Sequence, residues 1–195
     1  MIRVQVSEQM IKEAHQLIQG LDHAGFVNSH DYKEEHKIIG ALGEIALIDY
    51  CWNNNLLAFK NEGISSDVRL YSGHTIEVKT QKVTASPENH YMVNMATHQK
   101  STEKSDFIFF MHLQYVAGNP EAVWLLGGCS WDKFWRLSVL HRQGEPMMRH
   151  FANGDEVPSG RYFATDVQTL RISQLAPPSA ALKHFQSLQQ KEQTQ

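Results

Sequence analysis

Basic residues are not in excess in this chain. Its 18 Lys and Arg stand against 21 Asp and Glu, for a formal net charge of −3. A surface that binds polyanions through overall charge is therefore excluded, and any phosphate-binding surface must be local. Cysteine is almost absent: Cys51 and Cys129 are alone, in apolar or aromatic surroundings and far apart in sequence. They cannot form a metal-spaced pair or a disulfide framework, and a reduced, cytoplasmic setting is expected. No stretch approaches the ~20 apolar residues of a membrane span. The opening Met1-Ile2-Arg3-Val4-Gln5-Val6 has no apolar run of signal-peptide length. Internal repeats are lacking. The 11 histidines are scattered, and His30, Asp31, Glu34, Glu35 and His36 match no compact ligand spacing.

What is present is enough apolar material, 42% of 195 residues, for one domain over residues 1–195 with a sizeable core. Ile2, Val4 and Val6 alternate as a strand. Ser7 reads as a helix N-cap before the stripe Ile11, Ala14, Leu17 and Ile18, with Gly20 ending that helix. Residues 21–36 are polar and read as loop. Lys37 to Trp52 reads as a long helix, apolar over most of its circumference and therefore largely buried. Glu44 interrupts it. Gly40 and Gly43 flank that acid at about 1 kcal/mol each relative to alanine, which points to a close approach of another backbone. A buried carboxylate is expensive unless it is paired or bound to a metal, so Glu44 reads either as a site residue or as half of a salt bridge.

The most informative stretch runs from Ser66 to Thr80. Val68 and Leu70 alternate with Asp67 and Arg69; Ile76 and Val78 alternate with Glu77 and Lys79. Tyr71-Ser72-Gly73 is short enough for a hairpin turn, with Gly73 able to adopt positive φ. Pairing then carries Asp67 toward Glu77 and Lys79. Two acids and a lysine converging in this way suit metal-assisted phosphodiester cleavage. Glu77-Val78-Lys79 alone is also what any half-solvated strand looks like.

Beyond it, Tyr91, Val93 and Met95 alternate as a strand. Phe107 to Met111 is a continuous apolar run that reads as a buried central strand, and Ala122 to Leu126 as another. Ser130 can cap a helix over Trp131, Phe134 and Trp135, whose aromatics are expected inside. Residues 138–165 read as a basic loop, followed by a short apolar segment and a last helix through Leu182, Phe185 and Leu188. Gln81 shares the parity of Lys79. Together with Lys82, His98, Lys100, Lys104 and Arg142 it is a candidate nucleic-acid contact. A solvated surface explains the same residues.

Taken in order, Glu44 on a helix, Asp67 before a hairpin, and Glu77-Val78-Lys79 on the next strand resemble the PD-(D/E)XK nuclease superfamily. The resemblance covers about residues 37–128, with 129–188 as a C-terminal extension. It implies an α/β fold with a restriction endonuclease-like core, a central mixed β-sheet flanked by helices and a site at one edge. It implies a Mg²⁺-dependent DNA endonuclease, with Mn²⁺ as a possible substitute. Asp67 and Glu77 would be metal ligands, the Val78 carbonyl a third, and Glu44 the holder of a second metal or of its water. Lys79 would orient the attacking water and stabilise charge on phosphorus. Ser66 stands where the superfamily places proline, a change of backbone shape rather than of chemistry. A non-catalytic nucleic-acid-binding or assembly module on the same fold stays open. So do RNA as substrate and a homodimer as the working state.

Overall fold

Apolar residues spaced for two opposite sheet faces dictate the layering. The computed structural model describes residues 1–23, 34–61, 66–102 and 105–193. In chain order the elements are β1 (Ile2–Gln5), α1 (Glu8–His23), α2 (Glu34–Trp52), β2 (Ala58–Lys60), β3 (Val68–Leu70) and β4 (Thr75–Val83). Then follow β5 (Met92–Ala96), α3 (Gln99–Thr102), β6 (Phe107–Val116), β7 (Asn119–Ser130) and α4 (Trp131–Leu137). The chain ends on β8 (Val139–His141), β9 (Pro146–His150), β10 (Glu156–Tyr162), β11 (Val167–Arg171), a 3-10 turn (Ile172–Gln174) and α5 (Pro178–Gln193).

The fold is mixed α/β. A six-stranded sheet runs β1-β7-β6-β4-β3-β2. The β4–β6 pair is parallel and the others are antiparallel. The expected buried strand is β6, and its alternation separates two cores. Phe109, Met111 and Leu113 face α1, α2 and α5, joined by Ile76 and Val78 of β4. Ile108 and Phe110 face the other way, against Val93 and Met95 of β5, Leu170 of β11 and Phe134 of α4. Phe134 is fully buried, with Trp131 and Trp135 packed against that second core.

A central mixed sheet flanked by helices was expected, and the sheet is mixed with helices packed against it. The long helices cover one face, and the other carries α4 and a three-stranded sheet ordered β5-β11-β8. Residues 138–165, expected as loop, form β8 and the two-stranded β9–β10 ribbon. Most ribbon positions are exposed on both faces, so no alternation of burial marks them as strands. Helix α1 runs through Gly20 to His23 rather than stopping there, and α2 begins at Glu34, three residues earlier than expected. Both expected caps are present: Ser7 Oγ accepts from Met10 N at 3.1 Å and Ser130 Oγ from Lys133 N at 3.4 Å.

The hairpin that positions the candidate site closes as expected. Gly73 has φ +80°, its N–H donates to Leu70 O at 2.9 Å, and Leu70 N donates to His74 O at 2.8 Å. A Cβ at Gly73 meets nothing within 4 Å, so only backbone strain opposes a side chain there. Gly73→Ala is expected to cost about 1 kcal/mol, read as a lower denaturation midpoint at unchanged m-value.

Candidate active site

The β3–β4 ladder is short. It holds Val68 against Ile76 and Arg69 against Thr75, and among the described residues no strand pairs with β4 beyond Ile76 on that side. On its other side β4 stays paired with β6 as far as Val83. Asp67 sits where β3 and β4 part. Its N–H donates to Ile76 O at 3.2 Å and its Oδ2 accepts from Val78 N at 2.8 Å. The carboxylate thus takes the place of a ladder carbonyl, and the two bonds bracket Glu77. Behind Asp67, Ser66 is buried and its Oγ accepts from Asn61 Nδ2 at 2.6 Å, fixing the turn without the proline of the resemblance.

Glu77 is not on a half-solvated face: it is 5% exposed. A charge at that depth needs a counterion. Lys79, two residues along the same face, supplies it, with Nζ 2.6 Å from Oε1. The Val78 side chain points into the helix-side core, leaving its backbone as the functional part.

Glu44 reaches the same region from α2. The helix comes close because Gly43 has no side chain: a Cβ there would lie 1.9 Å from Thr80 Oγ1 on β4. A close approach is present at Gly43, but of a side chain rather than of the backbone expected, and a Cβ at Gly40 would meet nothing within 4 Å. Glu44 Oε2 is 3.0 Å from Lys60 Nζ, so the salt-bridge alternative also holds, with a partner on β2. Lys60 went unnoticed in the sequence because a three-residue strand with one lysine carries no signal of its own. Burial, reinforced by the negative charge of Asp67, still pushes the Glu44 carboxyl up to about 7, with Lys60 offsetting part of this.

That shift makes stability depend on pH. Folded Glu44 keeps its proton up to about pH 7, and the unfolded chain loses it near the ordinary value of 4.5. The contribution is fully present below pH 4.5 and is lost as pH rises through 7. Relative to the non-titrating Glu44→Gln, the parent should lose on the order of 3 kcal/mol between these limits, measured by denaturant unfolding at pH 4.5 and 8.

A cleft of about 510 Å³ opens beside Lys79, walled in part by Gln81, Lys82, His36, His98 and Asn94. Gln81, Lys82 and His98 thus line the same cleft as Lys79. Lys82 is paired with Glu35 and lies over the Tyr115 ring, 4.1 Å from its centroid. Lys100 and Arg142 do not wall this cleft. Lys100 lies 5.4 Å from the Trp135 ring centroid, and Arg142 is held by Asp166 at 2.7 Å. Lys104 lies outside the described residues, as do His30 and Asp31.

Asp67, Glu77, the Val78 carbonyl and Glu44 are hard oxygen donors, the type a divalent cation of the Mg²⁺ class prefers. Among the described residues, no three acidic, histidine or cysteine side chains are grouped so that they could hold a metal ion. Glu44 and Glu77 each lean on a lysine instead. Thiol chemistry is excluded, because burial pushes Cys51 up to about 12 and Cys129 to about 11, leaving no thiolate at neutral pH. Among the described residues no helix is long and apolar enough to cross a membrane. No family model matches the chain, and no curated protein matches it.

Proposed function

We propose that this chain is a divalent-metal-dependent endonuclease, acting on DNA in the first instance, on a restriction endonuclease-like core. The observation that carries the reading is Asp67 clasping β4 on either side of Glu77 while its charge acts on Glu44. An acid whose proton affinity is raised by burial and by a neighbouring carboxylate fits a cation. The donor set, all carboxylate and carbonyl oxygen, fits Mg²⁺ or Mn²⁺. Asp67, Glu77 and the Val78 carbonyl would hold one ion, with Glu44 serving a second or its hydration shell. When bound, such an ion lowers the pKa of its water and offsets charge on the phosphate.

The remaining work falls to the chain itself. Asp67 is oriented by the Val78 N–H, so its position is set by the sheet rather than by a rotamer. Lys79 aims a positive charge from beside Glu77 toward the cleft that its own side chain lines. There it orients water and stabilises negative charge on phosphorus in the transition state. His36, His98 and Lys82 on the cleft walls give a flanking phosphate local partners, as a chain of net negative charge requires.

The second reading is a non-catalytic nucleic-acid-binding module. The Glu44–Lys60 and Glu77–Lys79 pairs favour it, since they satisfy both acids without an ion. Incubating plasmid, single-stranded DNA and RNA with Mg²⁺, Mn²⁺ or chelator separates the two. The nuclease reading expects metal-dependent cutting in the parent that Asp67→Asn removes. Absence of cutting on every substrate by folded protein supports the binding module instead. Cutting that survives Asp67→Asn places the site elsewhere.

A further inference from the structure

Gln81, Asn94 and His112 border a second cavity as well as the cleft. This cavity, about 680 Å³, lies between the central sheet, the three-stranded sheet and the β9–β10 ribbon. Its size falls within the range of small-molecule sites. Flat or pliable apolar side chains, Tyr91, Met147, Met148, Phe151 and Phe163 among them, form part of its walls, beside the charged Glu88, Arg149 and Glu156. His141 stacks on Phe163 with ring centroids 4.8 Å apart and planes 25° from parallel. Such walls suit an aromatic ring system.

Among the polar residues of the cavity wall, His112 is deeply buried. It is 3% exposed, and neither ring nitrogen has a hydrogen-bond partner among the described residues. A buried polar group left unpaired is costly, so an imidazole in a cavity wall with both nitrogens unmatched points to a ligand that matches them. Burial lowers its pKa to about 4, so at neutral pH the ring is uncharged and offers one donor and one acceptor. Beside it in the sheet register stands Gln81, whose amide offers donors and an acceptor. A donor–acceptor edge facing aromatic and methionine walls matches the edge and faces of a nucleobase.

The cavity is also in the right place. Gln81 lies two residues beyond Lys79 on the same face of β4, a rise of about 6.6 Å. We propose that this cavity receives the unstacked base of a nucleotide next to the scissile phosphate, so that the substrate class is single-stranded or locally unpaired nucleic acid. The proposal rests on the nuclease reading for the position of the phosphate and on the cavity for the base.

The test uses oligonucleotides carrying 2-aminopurine or an abasic sugar at successive positions, single-stranded and duplex, with Ca²⁺ in binding assays and Mg²⁺ in cleavage assays. One position is expected to show a saturable change of 2-aminopurine emission. An abasic sugar there should weaken binding to the parent about tenfold. His112→Phe, which removes both ring nitrogens, and Met148→Trp, which fills the cavity from the ribbon, should abolish that difference. The parent comparison needs no variant, so misfolding of either cannot mask the answer. Cleavage with equal affinity for abasic and complete strands at every position overturns the cavity assignment and leaves the nuclease intact. Base-dependent binding without cleavage in any metal supports the cavity and overturns the nuclease.

Discussion

Replacing Lys79 by Met should lower metal-dependent cleavage about a hundred- to a thousand-fold, the usual size of losing one preorganised charge-stabilising group. The assay is single-turnover cutting at saturating protein. Stability should fall as well, because Glu77 is buried and Lys79 lies 2.6 Å from it. Removing one partner of a buried pair typically costs about 3–5 kcal/mol. Part of any activity loss could then be lost fold. Asp67→Asn separates the two effects. The amide oxygen can still accept the Val78 N–H at the position of Oδ2, so the clasp on β4 survives while the negative charge goes. Cleavage should fall as far as in Lys79→Met, with a melting temperature close to the parent's. A stable Asp67→Asn protein with undiminished cleavage would remove Asp67 from the site.

Gly43→Ala should destabilise the protein by on the order of 2 kcal/mol, or roughly 4–8 °C in melting temperature. Its cause is a collision, not helix propensity, which favours alanine. The new methyl would sit 1.9 Å from Thr80 Oγ1, with Thr80 Cβ at 3.1 Å and Cγ2 at 3.3 Å. Either α2 retreats or Thr80 turns. Thr80→Ala clears Oγ1 and Cγ2 and breaks no hydrogen bond recorded among the described residues. The double variant should therefore recover most of the loss, a coupling that a thermodynamic cycle measures directly. Retreat of α2 would also carry Glu44 from Asp67, so cleavage by Gly43→Ala should fall more than its stability alone explains.

Features with a local cause were legible in the sequence. The turn at Gly73, the strand alternation around it, the apolar run of β6 and the serine caps all follow from a few neighbouring residues. A close approach at Gly43 was legible too, but not its partner: a side chain of β4 lies there, and Gly40 faces nothing. The second sheet was not legible. Its β5 and β11 pair through Val93–Leu170 and Met95–Gln168, and nothing local announces a partner so far along the chain. The ribbon was missed because strands exposed on both sides have no burial period. His112 was passed over as the residue after an apolar run. Its meaning comes from Gln81 beside it in register and from a cavity built by distant segments.

The pairing of β1 with β7 sets a timetable for the nascent chain. Ile2 lies opposite Leu125 and Gln5 opposite Ala122, so β1 has no partner strand until β7 has been synthesised. At about 5–20 residues per second, β1 waits roughly 6–25 s on the ribosome. During that interval the apolar side chains of Ile2, Val4 and α1 lack the sheet they finally cover. Slowing translation between α2 and β7 should lengthen the exposure and raise demand for chaperones, whereas speeding it should do the reverse. The order of synthesis, and not only the final packing, thus shapes how much of this protein reaches its native state.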